Sequence, residues 1–211
     1  MHLGSHSLLE SLLWTPAEGF WLLDLHLERL QESARFFGVP LDGKSVRRRL
    51  ETLSKGLGEP VKVRLLVAPT GELDTKSVPL AAGAGALEEP VRIGMAREPV
   101  SSANPWLYHK TSNRSVYESA RRSRPDLDDV LLFNERGELT EASSSNVVVV
   151  VDGRRWTPPR DAGLLAGTLR RDLLQRGEIG ERTILIEELS RADEVYLINS
   201  VRKWRRTRVM P

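Results

Sequence analysis

Three positions in this chain have residue types and settings that could do chemistry together. Lys110 lies between Trp106-Leu107-Tyr108-His109 and Thr111-Ser112-Asn113-Arg114, and the other lysines are Lys44, Lys55, Lys62, Lys76 and Lys203. A lysine amine in a partly desolvated place loses its proton readily, and it can then bond an aldehyde and shuttle protons. Glu141 stands directly before the small polar run Ala142-Ser143-Ser144-Ser145-Asn146 and the apolar run Val147 to Val151. A carboxylate placed there can hold a proton on a ligand's nitrogen. Gly167-Thr168 opens a stretch with helical spacing. The N–H groups of a helix N-terminus suit a phosphate, and a missing side chain lets the phosphate approach closely. Alone, Lys110 reads as a surface lysine before a helix; the combination reads as a site.

An amine for an aldehyde, a carboxylate for a ring nitrogen and a cup for a phosphate are what pyridoxal 5'-phosphate requires. Competing chemistries fare worse. His2 and His6 fall near the N-terminus, and His26 and His109 lack a carboxylate at ligand spacing, so no metal site is expected. Ser143 to Ser145 lacks the Gly-x-Ser-x-Gly elbow of a serine hydrolase. With no cysteine, disulfides and thiolate catalysis are excluded.

The 211 residues suffice for one large domain or two small ones. No apolar run is long enough to span a bilayer, and Met1 to Ser7 lacks the layout of a secretory signal, so a cytoplasmic protein is expected. A net charge of +2 says little about partners. Arg47-Arg48-Arg49 reads as the wet face of a helix. Arg202-Lys203-Trp204-Arg205-Arg206-Thr207-Arg208 could meet nucleic-acid phosphates, but a C-terminal strand with outward arginines is the better reading. Neither nucleic acid nor membrane is an expected partner.

The elements that must position the candidates follow from punctuation and periodicity. Leu8 to Trp14 and Phe20 to Leu23 flank turn residues and predict a hairpin. Asp24 is the expected cap of a helix carrying Leu27, Leu30, Ala34 and Phe37 up to Gly38. Arg29 lies on that helix and by itself reads as exposed. A second helix is expected over Asp42 to Leu57, then strands at Val61 to Ala68, Leu73 to Pro79 and Val91 to Ala96, with a small-residue loop at Ala81 to Ala86. Pro99 to Pro105 reads as a linker. A helix with Val116, Tyr117 and Ala120 inward precedes hairpins around Glu135-Arg136-Gly137 and Asp152-Gly153. Further elements are a helix over Gly167 to Gln175, a strand at Thr183 to Ile186, a helical turn at Leu189 to Ala192 and a strand at Glu194 to Asn199. The expected class is α+β. An α/β domain over 1–99, a linker at 100–105 and a β-rich, barrel-like domain over 106–211 would hold the cofactor between them.

These residues also resemble a known family. Leu25-His26-Leu27-Glu28-Arg29-Leu30, Lys110-Thr111-Ser112-Asn113-Arg114, Glu141 to Asn146, Thr157-Pro158-Pro159, Leu165 to Arg170 and Ala192 to Ser200 are similar to blocks of the class IV, fold-type IV pyridoxal-phosphate enzymes. The resemblance implies roles. Lys110 would bond the cofactor, Glu141 would pair with its ring nitrogen, and Asn146 belongs to the same block. Arg29, Gly167, Thr168, the backbone of Leu169 and Ser200 would hold its phosphate. Position 169 is Leu where branched-chain aminotransferases carry Thr, so only its N–H is available.

Within the family, Leu9 to Phe20, Tyr108-His109-Lys110 and Asn199-Ser200-Val201-Arg202 look like 4-amino-4-deoxychorismate lyases. The implied reaction converts aminodeoxychorismate to 4-aminobenzoate and pyruvate for folate synthesis, in functional company with aminodeoxychorismate synthase. Lys203 stands where those lyases would carry Gly. The alternative is a branched-chain or D-amino-acid aminotransferase on the same scaffold. Arg114 and Arg202 are the candidate binders of the substrate carboxylates. The family likeness further implies a homodimer whose second subunit closes the site.

Overall fold

The computed structural model describes residues 6–80 and 89–211, and the loop expected over Ala81 to Ala86 lies outside them. The described residues divide into two compact units, one within Met1–Ala84 plus His109–Asn113, the other within Gly85–Tyr108 plus Arg114–Pro211.

The first unit is a four-stranded sheet with two helices. Its strands are β1 (Leu8–Thr15), β2 (Gly19–Phe20), β3 (Val61–Val67) and β4 (Leu73–Pro79), in the order β2-β1-β3-β4 with every pair antiparallel. Successive side chains of a strand face opposite ways. Leu8, Leu12 and Trp14 of β1 therefore join Val61, Val63, Leu65 and Val67 of β3 in one apolar cluster, with Leu27, Leu30 and Ala34 of helix α1 (Leu23–Phe37) and Val46 and Leu50 of helix α2 (Gly43–Ser54). Each such buried side chain contributes about 1.5–3 kcal/mol of burial free energy. Asp42 caps α2 by accepting from the N–H groups of Lys44 and Ser45. Asp24 does not cap α1. The hairpin delivers the chain through Leu22 at φ 56, so Asp24 falls in the first turn, where its carboxylate accepts from Arg47 at 2.7 Å. Gly38 closes α1 in the left-handed conformation.

The second unit is built on a curled eight-stranded sheet in the order β10-β9-β8-β11-β12-β5-β6-β7. Its strands are β5 (Val91–Met95), β6 (Asp129–Phe133), β7 (Leu139–Ala142), β8 (Asn146–Val151), β9 (Arg154–Thr157), β10 (Gly180–Glu181), β11 (Glu194–Asn199) and β12 (Lys203–Val209), with helices α3 (Ser115–Ser123) and α4 (Thr168–Gln175). Strand β6 shows how both faces are used. Leu131 packs with Val91, Ile93 and Leu139 on one side, whereas Val130 and Leu132 meet Val100, Leu107, Tyr117 and Leu127 on the other. The arginine-rich tail is strand β12, antiparallel to β11 and parallel to β5.

Three expectations about the chain's layout are corrected. The domain boundary does not lie at 99, because β5 pairs in parallel with both β6 and β12 and so belongs to the second unit. Pro99 to Pro105 is not a free linker: Val100 is buried and bridges to Asn134, and Asn104 caps a 3-10 turn at Pro105–Leu107. Nor does Thr183 to Ile186 form a strand. Its Ile184 is buried and accepts from the N–H of Leu139, but Leu185 makes only an isolated bridge to Glu138 before a 3-10 turn begins at Ile186. Gly180–Glu181 takes the parallel place beside β9 instead.

Candidate functional site

In the first unit the structure supplies Lys110 and Arg29. Lys110 is half-buried, and its carbonyl accepts from the N–H of Leu9, so the segment runs along β1. Thr111 next to it is buried and bridges to Leu8. The preceding His109 is held by Ser33 at 3.0 Å and stacks on Phe36 with ring centroids 4.3 Å apart.

Arg29 is buried rather than exposed, because α1 turns it towards β1. Its Nε and one terminal nitrogen donate to the two oxygens of Glu10 at 2.9 and 2.6 Å. His26 meets the same carboxylate through Nδ1 at 2.7 Å. Burial works against a charge on Glu10, but the nearby Arg29 and His26 outweigh it and hold the carboxyl at about 2. Burial pushes His26 down, Glu10 opposes this, and the charges of Arg29 and Lys110 add to the depression. A carboxylate acceptor means that a neutral His26 carries its proton on Nδ1. Sequence reasoning missed Glu10. The signal was there: position 10 shares the inward face of β1 with Leu8, Leu12 and Trp14, and an acid on an apolar face needs a partner.

The second unit brings Glu141, Asn146 and Gly167 together. Glu141 lies in β7, one position before its end, at 4% exposure. Its Oε1 accepts from the Tyr117 hydroxyl at 2.8 Å and the Leu165 N–H at 3.1 Å, and its Oε2 accepts from Asn146 Nδ2 at 3.3 Å. Asn146 Nδ2 also donates to the Leu165 carbonyl at 2.8 Å. The serine run between them is tied down by Asp129, which accepts from the hydroxyls of Ser143 and Ser144 at 2.5 and 2.8 Å and from the Ser143 N–H at 3.2 Å. Burial and the neighbouring charge of Glu141 push the Tyr117 hydroxyl well up, so it remains a donor.

Gly167 is the cap of α4 and makes no side-chain cap bond. A Cβ there would overlap Asn146 Oδ1, so only glycine fits beside this asparagine. Thr168, Leu169 and Arg170 follow, all buried. Arg170 fixes the helix start by donating to the Pro158 carbonyl at 2.8 Å and by pairing with Glu181. At the end of β11, Asn199 accepts from the N–H groups of Val201 and Arg202 at 3.0 and 2.8 Å and donates to Ser145 at 2.9 Å. It thereby sets the turn that holds buried Ser200 and half-buried Arg202. Arg114 donates to the Ser143 carbonyl at 2.5 Å and lies over the Tyr117 ring at 4.7 Å.

Tyr117, Asp129 and Asn199 were not singled out as site residues from sequence, since an inward aromatic on a helix reads as core. Among the described residues, no group of three or more His, Cys, Asp or Glu side chains could hold a metal ion, and no helix is long and apolar enough to cross a membrane.

Comparison with known proteins identifies relatives of the chain. The model of the family described as amino-transferase class IV matches residues 7–209. A candidate aminodeoxychorismate lyase of Schizosaccharomyces pombe is 31% identical over 193 residues, covering 87% of this chain and 81% of that protein. A candidate branched-chain-amino-acid aminotransferase of Thermotoga maritima is 32% identical over 187 residues, covering 83% and 67%. Among solved structures, a candidate amino-acid aminotransferase of Mesorhizobium loti superposes with a TM-score of 0.90 at 32% identity, over 98% of this chain and all of the other. Enzymes of this family depend on pyridoxal phosphate. The chain belongs to the class IV aminotransferase family and has its fold-type IV architecture.

Proposed function

We propose that the chain is a 4-amino-4-deoxychorismate lyase that releases 4-aminobenzoate and pyruvate with pyridoxal phosphate as its cofactor. The observation that carries the cofactor assignment is the buried Glu141 carboxylate fixed beside an α4 N-terminus where nothing larger than Gly167 fits. The donor set suits the group. Glu141 can keep a ring nitrogen protonated, and the N–H groups of Thr168 and Leu169 with the Ser200 hydroxyl can take phosphate oxygens. Arg29 adds a cation whose direction is fixed by Glu10. Lys110 supplies the amine.

When bound, pyridoxal phosphate supplies an electron sink for the carbon that carries the substrate amine. Lys110 then takes the proton from that carbon. The freed electron pair completes the aromatic ring as the carbon–oxygen bond to the enolpyruvyl group breaks, and a proton returned to that group's methylene gives pyruvate. Arg202, at the turn set by Asn199, is the proposed cation for a substrate carboxylate. Arg114 was the other candidate, and its guanidinium is engaged by Ser143 and Tyr117. We read the active form as a cytoplasmic homodimer fed by an aminodeoxychorismate synthase. Light scattering of the purified chain should give twice its 23.7 kDa.

Aminotransfer from branched-chain or D-amino acids to an oxo acid is the second reading, its branched-chain form favoured by the Thermotoga relative. The two separate in one assay. Incubation of the loaded protein with aminodeoxychorismate should yield 4-aminobenzoate, detected by fluorescence, without any added oxo acid. Turnover only with an amino acid and 2-oxoglutarate would assign the aminotransferase instead.

A further inference from the structure

Glu141 is served by a group that the cofactor-binding set described above does not include. The Tyr117 hydroxyl donates to Oε1 at 2.8 Å, with both side chains buried. The backbone N–H of Leu165 donates to the same oxygen at 3.1 Å. The phenol is itself held in place. Its ring packs with Val100, Leu107, Leu127, Val130 and Leu132, and the Arg114 guanidinium lies over its face at 4.7 Å while donating to the Ser143 carbonyl. A hydroxyl so fixed can neither leave Glu141 nor be replaced by water at low cost.

We infer that Tyr117 is a positioning residue that, with the Leu165 N–H, fixes Oε1 of Glu141 and so sets how firmly Glu141 keeps a proton on the cofactor's ring nitrogen. This rests on the cofactor reading above. The physical reason is competition for charge. Hydrogen bonds donated to a carboxylate favour its ionised form, which leaves the shared proton on the nitrogen. Without the phenol, the carboxylate draws that proton towards itself and the ring becomes a weaker electron sink. Burial makes the effect large, because the lost donor is not replaced by bulk water. Arg114 supports the same arrangement from behind, as a brace for Tyr117.

The test uses the full-length protein loaded with pyridoxal phosphate labelled with nitrogen-15 in the ring. Tyr117→Phe deletes only the hydroxyl and keeps the ring under Arg114. The ring-nitrogen resonance should move towards the unprotonated position. The pH midpoint of the visible band should rise by about half a unit or more, since a less positive ring tolerates a second proton better. Site-specific replacement of Tyr117 by 3,5-difluorotyrosine, a stronger donor, should move both readouts the other way, and it serves equally well if the Phe protein folds poorly. If Tyr117→Phe lowers the melting temperature but leaves resonance and midpoint unchanged, Tyr117 is only a core residue and the inference is wrong. If the wild-type protein takes up no pyridoxal phosphate and shows no visible band, the cofactor reading falls and takes the inference with it.

Discussion

Glu141 stands out in the sequence as a carboxylate before a short serine run and five valines, Asn146 stands out only through the resemblance, and the structure brings the two side chains to 3.3 Å. Their partners could not be read the same way. Tyr117 sits at helical spacing like any core aromatic, and the carboxylate it meets is 24 positions away in the chain. Gly167 has a reason only when Asn146 is seen beside it. Gly167→Ala should therefore displace Asn146 and weaken cofactor binding at least tenfold, about 1.4 kcal/mol, in a fluorescence titration with pyridoxal phosphate. Glu141→Gln keeps the size of the side chain but removes its charge. It should reduce kcat by about 100-fold or more while leaving the fold intact by circular dichroism.

At the scale of elements, the turns were the legible part. Gly137 and Gly153 adopt positive φ at the two hairpins that the sequence marked, and Gly38 does so at the end of α1. The failures came where neighbours decide. Thr183 to Ile186 has strand-like apolar residues, yet it makes only one isolated bridge, Leu185 to Glu138, and Gly180–Glu181 takes the place beside β9. The serine run is a case where an element depends on one distant side chain. Asp129, at the start of β6, holds Ser143 and Ser144 and through them the approach to Asn146. Asp129→Ala should leave the buried Ser143 hydroxyl and N–H unsatisfied, whereas exposed Ser144 can turn to water, and lower the unfolding free energy by about 1–3 kcal/mol, read as a shift of the denaturant midpoint.

At the scale of the whole molecule, the fold class and cofactor were legible, but the division into units was not. The Pro99 to Pro105 segment looks like a linker by composition, whereas β5 before it pairs with strands that begin 38 and 112 residues after its own start, a non-local choice that composition does not encode. The chain should also carry an acid sensitivity that originates in the first unit. The pKa values of Glu10 and His26 are both lowered in the folded state, so each contributes stability that is present above its unfolded value. That contribution is lost first below the ordinary histidine value of 6.5, then more steeply as pH falls from 4.5 towards about 2. Thermal unfolding across this range should show the decline, and Glu10→Gln should flatten its lower part.

Pyridoxal phosphate held on Lys110 as proposed would be fixed there by reduction, so a single labelling experiment tests the assignment. The wild-type protein is loaded with the cofactor, reduced with borohydride, digested and mapped by mass spectrometry. Stoichiometric label on Lys110 is predicted, with Lys44, Lys55, Lys62, Lys76 and Lys203 unmodified and no label in Lys110→Ala. Label spread over the other lysines, or none at all, would contradict the account.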